Sequence, residues 1–172
     1  MEKLELLSII EPMFYDKTFK EISLDMIAKK LDMKKASLYY YFPSKEILLQ
    51  ELINFSLEIY KNNIIKLTKK SPKDFIKDFI AFPKQNKNLF SIINQSWYCE
   101  NEKMKGILKS WQIEILSIIN LYFKEKLDFS DEKIFILLSI MEDISKKRCI
   151  YWECPMNIEK IIQEIYLIFN IK

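Results

Sequence analysis

One glycine, Gly106, occurs in the whole 172-residue chain. Tight hairpin turns need residues that accept positive φ, and glycine fills that role most cheaply. A chain so poor in it cannot connect many strands by short turns, so a helical fold is predicted. Proline is also scarce, at five residues, while apolar residues reach 49% and supply a core for one domain or for a small domain joined to a larger one.

Apolar spacing and start and stop signals divide the chain into about nine helices. A first helix over 4–16 carries Leu6, Ile9, Ile10, Met13 and Phe14 on one stripe and is interrupted by Pro12. Ser23 is placed to cap a helix over 24–31 with Ile27, Ala28 and Leu31 inward. Asp32 and Met33 turn the chain into a short helix over 35–41, which Pro43 stops. Ser44 then caps a long helix to about Lys69, with Leu48, Leu49, Leu52, Phe55, Ile59 and Tyr60 as its inner stripe. Ser71-Pro72-Lys73-Asp74 reads as a helix start, and that helix is expected to end at Pro83. Further helices are expected over 87–97, 102–126, 131–152 (capped by Ser130, followed by a break at Pro155) and 158–170.

The segment around residues 23–49 carries the chemistry. Two short helices joined by a tight polar turn form a helix-turn-helix, whose second helix can enter a DNA major groove. Leu38 and Phe42 can face inward, leaving Lys35, Ser37, Tyr39 and Tyr40 to look outward. Ala36 is small enough for a close approach to the groove floor, or offers a methyl to thymine. Ser44 and Lys45 sit at a helix start, where free amides favour phosphate. Between Lys29 and Lys45, five lysines (Lys29, Lys30, Lys34, Lys35 and Lys45) face a single acid, Asp32, although the whole chain carries only +3. With Arg148 the only arginine, no Arg–guanine fork is available and reading must rest on Lys, Ser, Ala and Tyr contacts and on DNA shape.

These residues carry a resemblance. FYDKTFKEISLDMIAKKLDMKKASLYYYFPSKEILL is similar to the amino-terminal domain of TetR/AcrR-type transcriptional regulators, over about residues 4–52, and LYYYFPSKEILL is its most specific part. The resemblance implies an all-helical homodimer, usually a repressor, in which residues 1–45 form the DNA-binding domain and 46–172 a helical effector-binding and dimerisation domain. It implies that Lys35, Ser37, Tyr39 and Tyr40 lie on or near the groove and that Ser23, Tyr41 and Lys45 hold phosphates. The chain departs from the family where Thr18, Asp32 and Ala36 replace glycines, Tyr41 replaces a frequent histidine, and Lys34 replaces a serine. That last exchange removes a cap from the probe helix and adds a charge near DNA.

The resemblance also implies that the last two helices pair with those of a second subunit, with Ile158, Ile161, Ile162, Ile165 and Phe169 as the covered face. A small hydrophobic or amphipathic effector is expected among Phe82, Phe90, Trp97, Tyr98, Met104, Trp111, Phe135 and Met141, residue types that also fill ordinary cores. An inward Glu142 would favour a cationic effector, a solvent-facing one a neutral or anionic effector. The expected partners are a palindromic duplex operator, a second copy and that effector.

Catalysis is disfavoured. There is no histidine for a triad, a base or a metal site, and one glycine cannot build a phosphate loop. No cofactor or metal is expected. The acidic start MEKLELLSII predicts no export leader, and no apolar run reaches the roughly 18 residues of a membrane span. A cytoplasmic protein with reduced thiols is the expectation, with Cys149 and Cys154 as a conceivable redox pair beside Cys99. The alternative is a helical interaction module that has lost sequence-specific DNA binding.

Overall fold

The computed structural model describes residues 2–98, 100–150 and 157–172, without the side chains of 147–150. The expectations for Cys99, Cys149, Cys154, Trp152 and Pro155 lie outside these. Among the described residues the chain is helical throughout, with no strand and nine α-helices. They are α1 Lys3–Ile10, α2 Leu24–Lys30, α3 Lys35–Tyr41, α4 Lys45–Leu67, α5 Pro72–Gln85, α6 Lys87–Trp97, α7 Glu102–Leu127, α8 Asp131–Ile150 and α9 Ile158–Phe169. They form two compact units, Met1–Tyr60 with Lys87–Trp111, and Lys61–Asn86 with Gln112–Lys172.

The first unit is built on Leu6, Leu7, Ile10, Phe14, Ile22, Ile27, Leu38, Phe42, Leu48 and Leu52, all fully buried. Pro12 does not bend a continuous helix. It ends α1 and starts a single 3-10 turn, Glu11–Phe14, because its ring removes an amide donor and favours a first-turn position. Phe14 is fixed there and meets Phe19 edge-on at 5.4 Å. The segment before α2 is then held by α6. Gln95 accepts from the Phe19 amide at 2.8 Å and donates to the Lys17 carbonyl at 3.1 Å, satisfying two backbone groups that no helix serves. The inner side of α4 is broader than one stripe. Leu48 and Leu52 are buried as expected, but Ile53, Ser56 and Leu57 are buried too, while Leu49, Phe55, Ile59 and Tyr60 are only half-buried. A helix covered from several sides cannot show a single apolar stripe.

In the second unit, Ser71 opens α5 by accepting from the Asp74 amide at 3.2 Å. Phe75 is the centre of an aromatic cluster, with Tyr122 stacked at 4.7 Å, Phe123 edge-on at 5.2 Å and Phe79 at 6.1 Å. The Tyr122 hydroxyl donates to the Lys70 carbonyl at 2.8 Å. Burial, and after it the Asp74 carboxylate, push that phenol up to about 12, so it remains a donor at all ordinary pH.

Pro83 does not end α5, which continues to Gln85. A proline inside a helix withdraws the amide that would bond the carbonyl four residues back, here Phe79. The buried Ser145 of α8 donates its hydroxyl to that carbonyl at 3.4 Å, and α5 and α8 pack closely along their length. The interruption expected from local sequence is thus met by a residue far along the chain.

Candidate nucleic-acid interface

Local chemistry sets both ends of the two short helices. Ser23 caps α2 by accepting from the Met26 amide at 3.2 Å. At the other end the Met33 amide bonds the Ala28 carbonyl at 2.9 Å and the Asp32 amide the Lys29 carbonyl at 3.2 Å, with Asp32 at φ 51°. This is a Schellman closure with aspartate where glycine is commonest, and a short polar side chain tolerates that left-handed position. The turn therefore keeps its form although glycine is missing.

Lys34 is the residue before α3, with extended backbone and no side-chain cap. A cationic side chain cannot accept an amide hydrogen bond and opposes the positive end of the helix. Lys34→Ser supplies the missing acceptor and is expected to raise unfolding stability by about 1 kcal/mol, read as a higher urea midpoint at unchanged slope. No change in midpoint would show that α3 is held by its buried face alone.

That buried face consists of Leu38 and Phe42, enclosed together with Ile27, Ala28 and Leu31 where α2 and α3 pack. The opposite face is exposed and presents Lys34, Lys35, Ala36, Ser37, Tyr39 and Tyr40. Tyr40 is 86% exposed and meets the half-buried Tyr41 edge-on at 5.4 Å. Ser44 caps α4 by accepting from the Ile47 amide at 3.1 Å, which sets Lys45, half-buried, in the first turn beside α3. Ser23, Lys34, Lys35, Ala36, Ser37, Tyr39, Tyr40, Tyr41 and Lys45 therefore all belong to one short stretch of the first unit, all but Tyr41 and Lys45 exposed. Sequence reasoning missed Asp25. Its carboxylate lies 2.8 Å from the Lys35 ammonium and holds it above the ordinary lysine range by direct hydrogen bonding. The signal available was an acid in the first turn of α2, ten residues before its partner, a distance no local pairing rule covers.

The eight residues expected around an effector fall in two groups. Phe90, Trp97, Tyr98, Met104 and Trp111 belong to the first unit; Phe82, Phe135 and Met141 belong to the second. Phe82, Phe90, Met104 and Met141 are buried, Trp111 is half-buried, and Trp97, Tyr98 and Phe135 are exposed. Trp111 donates its indole N–H to the Leu57 carbonyl at 3.1 Å. Phe135 alone of the set lines an open groove of about 620 Å³ on α7 and α8, together with Leu116, Asn120, Asp131, Glu132, Ile136 and Leu138. Glu142 faces solvent and lies 3.6 Å from Lys146. On α9, Ile162, Ile165 and Phe169 are buried within the chain and Ile158 and Ile161 are half-buried; the apolar groups left open are Leu167 at 74% and Ile168 at 69%. Among the described residues no cluster of metal-ligating side chains occurs, and no helix is long and apolar enough to cross a membrane.

Residues 7–52 match the family model for bacterial regulatory proteins of the tetR family. YuxN, an uncharacterized HTH-type transcriptional regulator of Bacillus subtilis, is 28% identical over 160 residues, which are 83% of this chain and 50% of YuxN. The biofilm operon icaADBC HTH-type negative transcriptional regulator IcaR of Staphylococcus aureus is 40% identical over 55 residues, 32% of this chain and 29% of IcaR. The chain thus spans half or less of the length of these curated relatives. Among solved structures, AibR in complex with isovaleryl coenzyme A and operator DNA superposes with a TM-score of 0.72 at 16% identity, over 99% of this chain and 100% of AibR. A transcriptional regulator from Aquifex aeolicus superposes at 0.71 and 16% identity over 98% of each chain. At that identity the likeness concerns the fold.

Proposed function

We propose that the chain, through its amino-terminal helix-turn-helix, is a transcriptional regulator of the TetR/AcrR type, a homodimeric repressor released from a palindromic operator by a small ligand. The observation that carries this reading is α3: apolar behind, with lysine, serine and tyrosine turned to solvent in front. Residues 1–45 contact DNA. Lys35, Ala36, Ser37, Tyr39 and Tyr40 meet the groove, and Ser23, Lys34, Tyr41 and Lys45 meet phosphates. Residues 46–172 bind effector and partner.

Two placements refine the rest. Since Ile162, Ile165 and Phe169 are covered within the chain, a partner subunit on α8 and α9 meets Leu167 and Ile168, with Phe135 and Ile136 of α8 also open to it. Since Glu142 faces solvent, the effector is neutral or anionic, a class that the isovaleryl coenzyme A bound to AibR also fits. The ligand acts by favouring one arrangement of the middle helices, which moves α4 and changes the spacing of the two α3 helices against fixed half-sites.

The test is duplex binding by the purified chain across a salt series. Counterion release makes log affinity fall linearly with log salt, by about a thousandfold between 50 and 200 mM if six phosphates are engaged. Absence of any duplex binding at low salt would falsify the reading and return the chain to a protein-interaction module.

A further inference from the structure

The surface assigned to DNA contains an exposed ion pair between its two short helices. Asp25 stands in the first turn of α2 and Lys35 in the first turn of α3, and their side chains meet at 2.8 Å. Both groups are largely in water, with 69% of the carboxylate side chain and 45% of the lysine side chain exposed. An exposed pair of this kind contributes little to stability. Its electrostatic consequence is larger than its contribution to folding. α3 itself carries no acid. Asp25 is thus a negative charge brought to the probe helix from its neighbour, and it neutralises one of the lysines placed to meet the duplex.

Non-specific binding to DNA comes almost wholly from cations that replace counterions on phosphates. A lysine already paired with a carboxylate releases no counterion unless the pair opens, and an open pair leaves the carboxylate facing the phosphates. A specific site offers more, because base-edge acceptors and the tyrosine face reward the exchange of partner. We propose that Asp25 is a selectivity residue: by holding Lys35 it suppresses binding to arbitrary duplex more than binding to the operator. This rests on the DNA-binding reading and goes beyond it by making recognition depend on a competition inside the protein.

The experiment compares the full chain with Asp25→Asn, Lys35→Gln and the double variant. Affinity is measured by fluorescence anisotropy, over a salt series, for a short mixed-sequence duplex and for a duplex enriched from a random pool by the parent protein. Asp25→Asn should raise affinity for the mixed duplex by about tenfold and steepen its salt slope by about one per subunit. It should raise affinity for the enriched duplex less, so that the ratio of the two falls. In the Lys35→Gln background Asp25→Asn should leave the salt slope unchanged. Three results overturn the proposal: unchanged mixed-duplex affinity in Asp25→Asn, equal gains on both duplexes, or the same gain with Lys35 absent, which would mean that Asp25 acts by bare repulsion. If the parent and every variant leave both duplexes unbound, the DNA-binding reading itself falls and the proposal with it, a result distinct from the other three. Melting curves of the variants exclude misfolding as the source of any change.

Discussion

Tyr40→Ala lowers duplex affinity by about a hundredfold and leaves the folded chain as stable as before. The ring is 86% exposed, so its removal opens no cavity and strands no buried group. Surface substitutions of this kind usually change stability by less than about 0.5 kcal/mol. Loss of one such contact at about 1.4 kcal/mol per subunit, counted twice in a dimer, gives two powers of ten in affinity. Its contact with Tyr41 has a second effect: without the neighbouring ring at 5.4 Å, Tyr41 loses part of what orients it. Anisotropy titration on an enriched duplex reads the affinity, and a denaturation curve reads the stability. Parent-like binding removes Tyr40 from the interface. A variant that binds poorly because it has unfolded would place the ring in the structure instead.

Phe75→Ala has the largest expected effect on folding. The side chain is fully buried and is the common neighbour of Tyr122, Phe123 and Phe79. Truncating a buried phenylalanine costs about 3–5 kcal/mol, from lost transfer energy and from the cavity left behind. A domain of ordinary stability holds about 5–15 kcal/mol in total, so this single change removes a large part of it. The urea midpoint should drop steeply. Tyr122 should become easier to ionise as its surroundings loosen, lowering a phenol held at about 12 toward its ordinary value. In linkage terms, a raised folded value contributes stability that is complete below the unfolded pKa of about 10 and is lost as pH climbs toward 12. The parent should therefore lose stability over that alkaline window, and Phe75→Ala should lose less of it. A midpoint shift worth under about 1 kcal/mol would show that the cluster repacks around the gap.

Local rules read much of this chain correctly, and their failures share one cause. Ser23, Ser44, Ser71 and Ser130 each accept an amide hydrogen bond at the start of the helix they were expected to cap, because capping depends only on the next few residues. Helix α3 runs over the expected 35–41, fixed by a proline just beyond it and a turn just before. Asp32 takes the left-handed turn that its short polar side chain allows. What local rules could not supply was the partner across the fold. Pro83 was expected to stop α5, since Ser145 lies beyond any sequence window. The isoleucine stripe of α9 was legible as a stripe, but periodicity does not say what covers it, and much of it is covered from within. The same holds at the site: the outward residues of α3 follow from spacing, whereas the Asp25 partner of Lys35 required the packing of two helices. Aromatic residues of the middle helices gave the weakest signal, because cores and cavities recruit the same types.

The arrangement of Pro83 and Ser145 makes the order of substitutions matter. Exchanging the proline first, Pro83→Ala, restores an amide that can reach the Phe79 carbonyl, after which the serine hydroxyl is dispensable. Exchanging the serine first leaves a carbonyl in a dry interior without that donor. The two paths end at the same pair of residues, but only one avoids a damaged intermediate, so a lineage carrying both residues can leave this state more easily through the helix with the ring than through the helix with the hydroxyl.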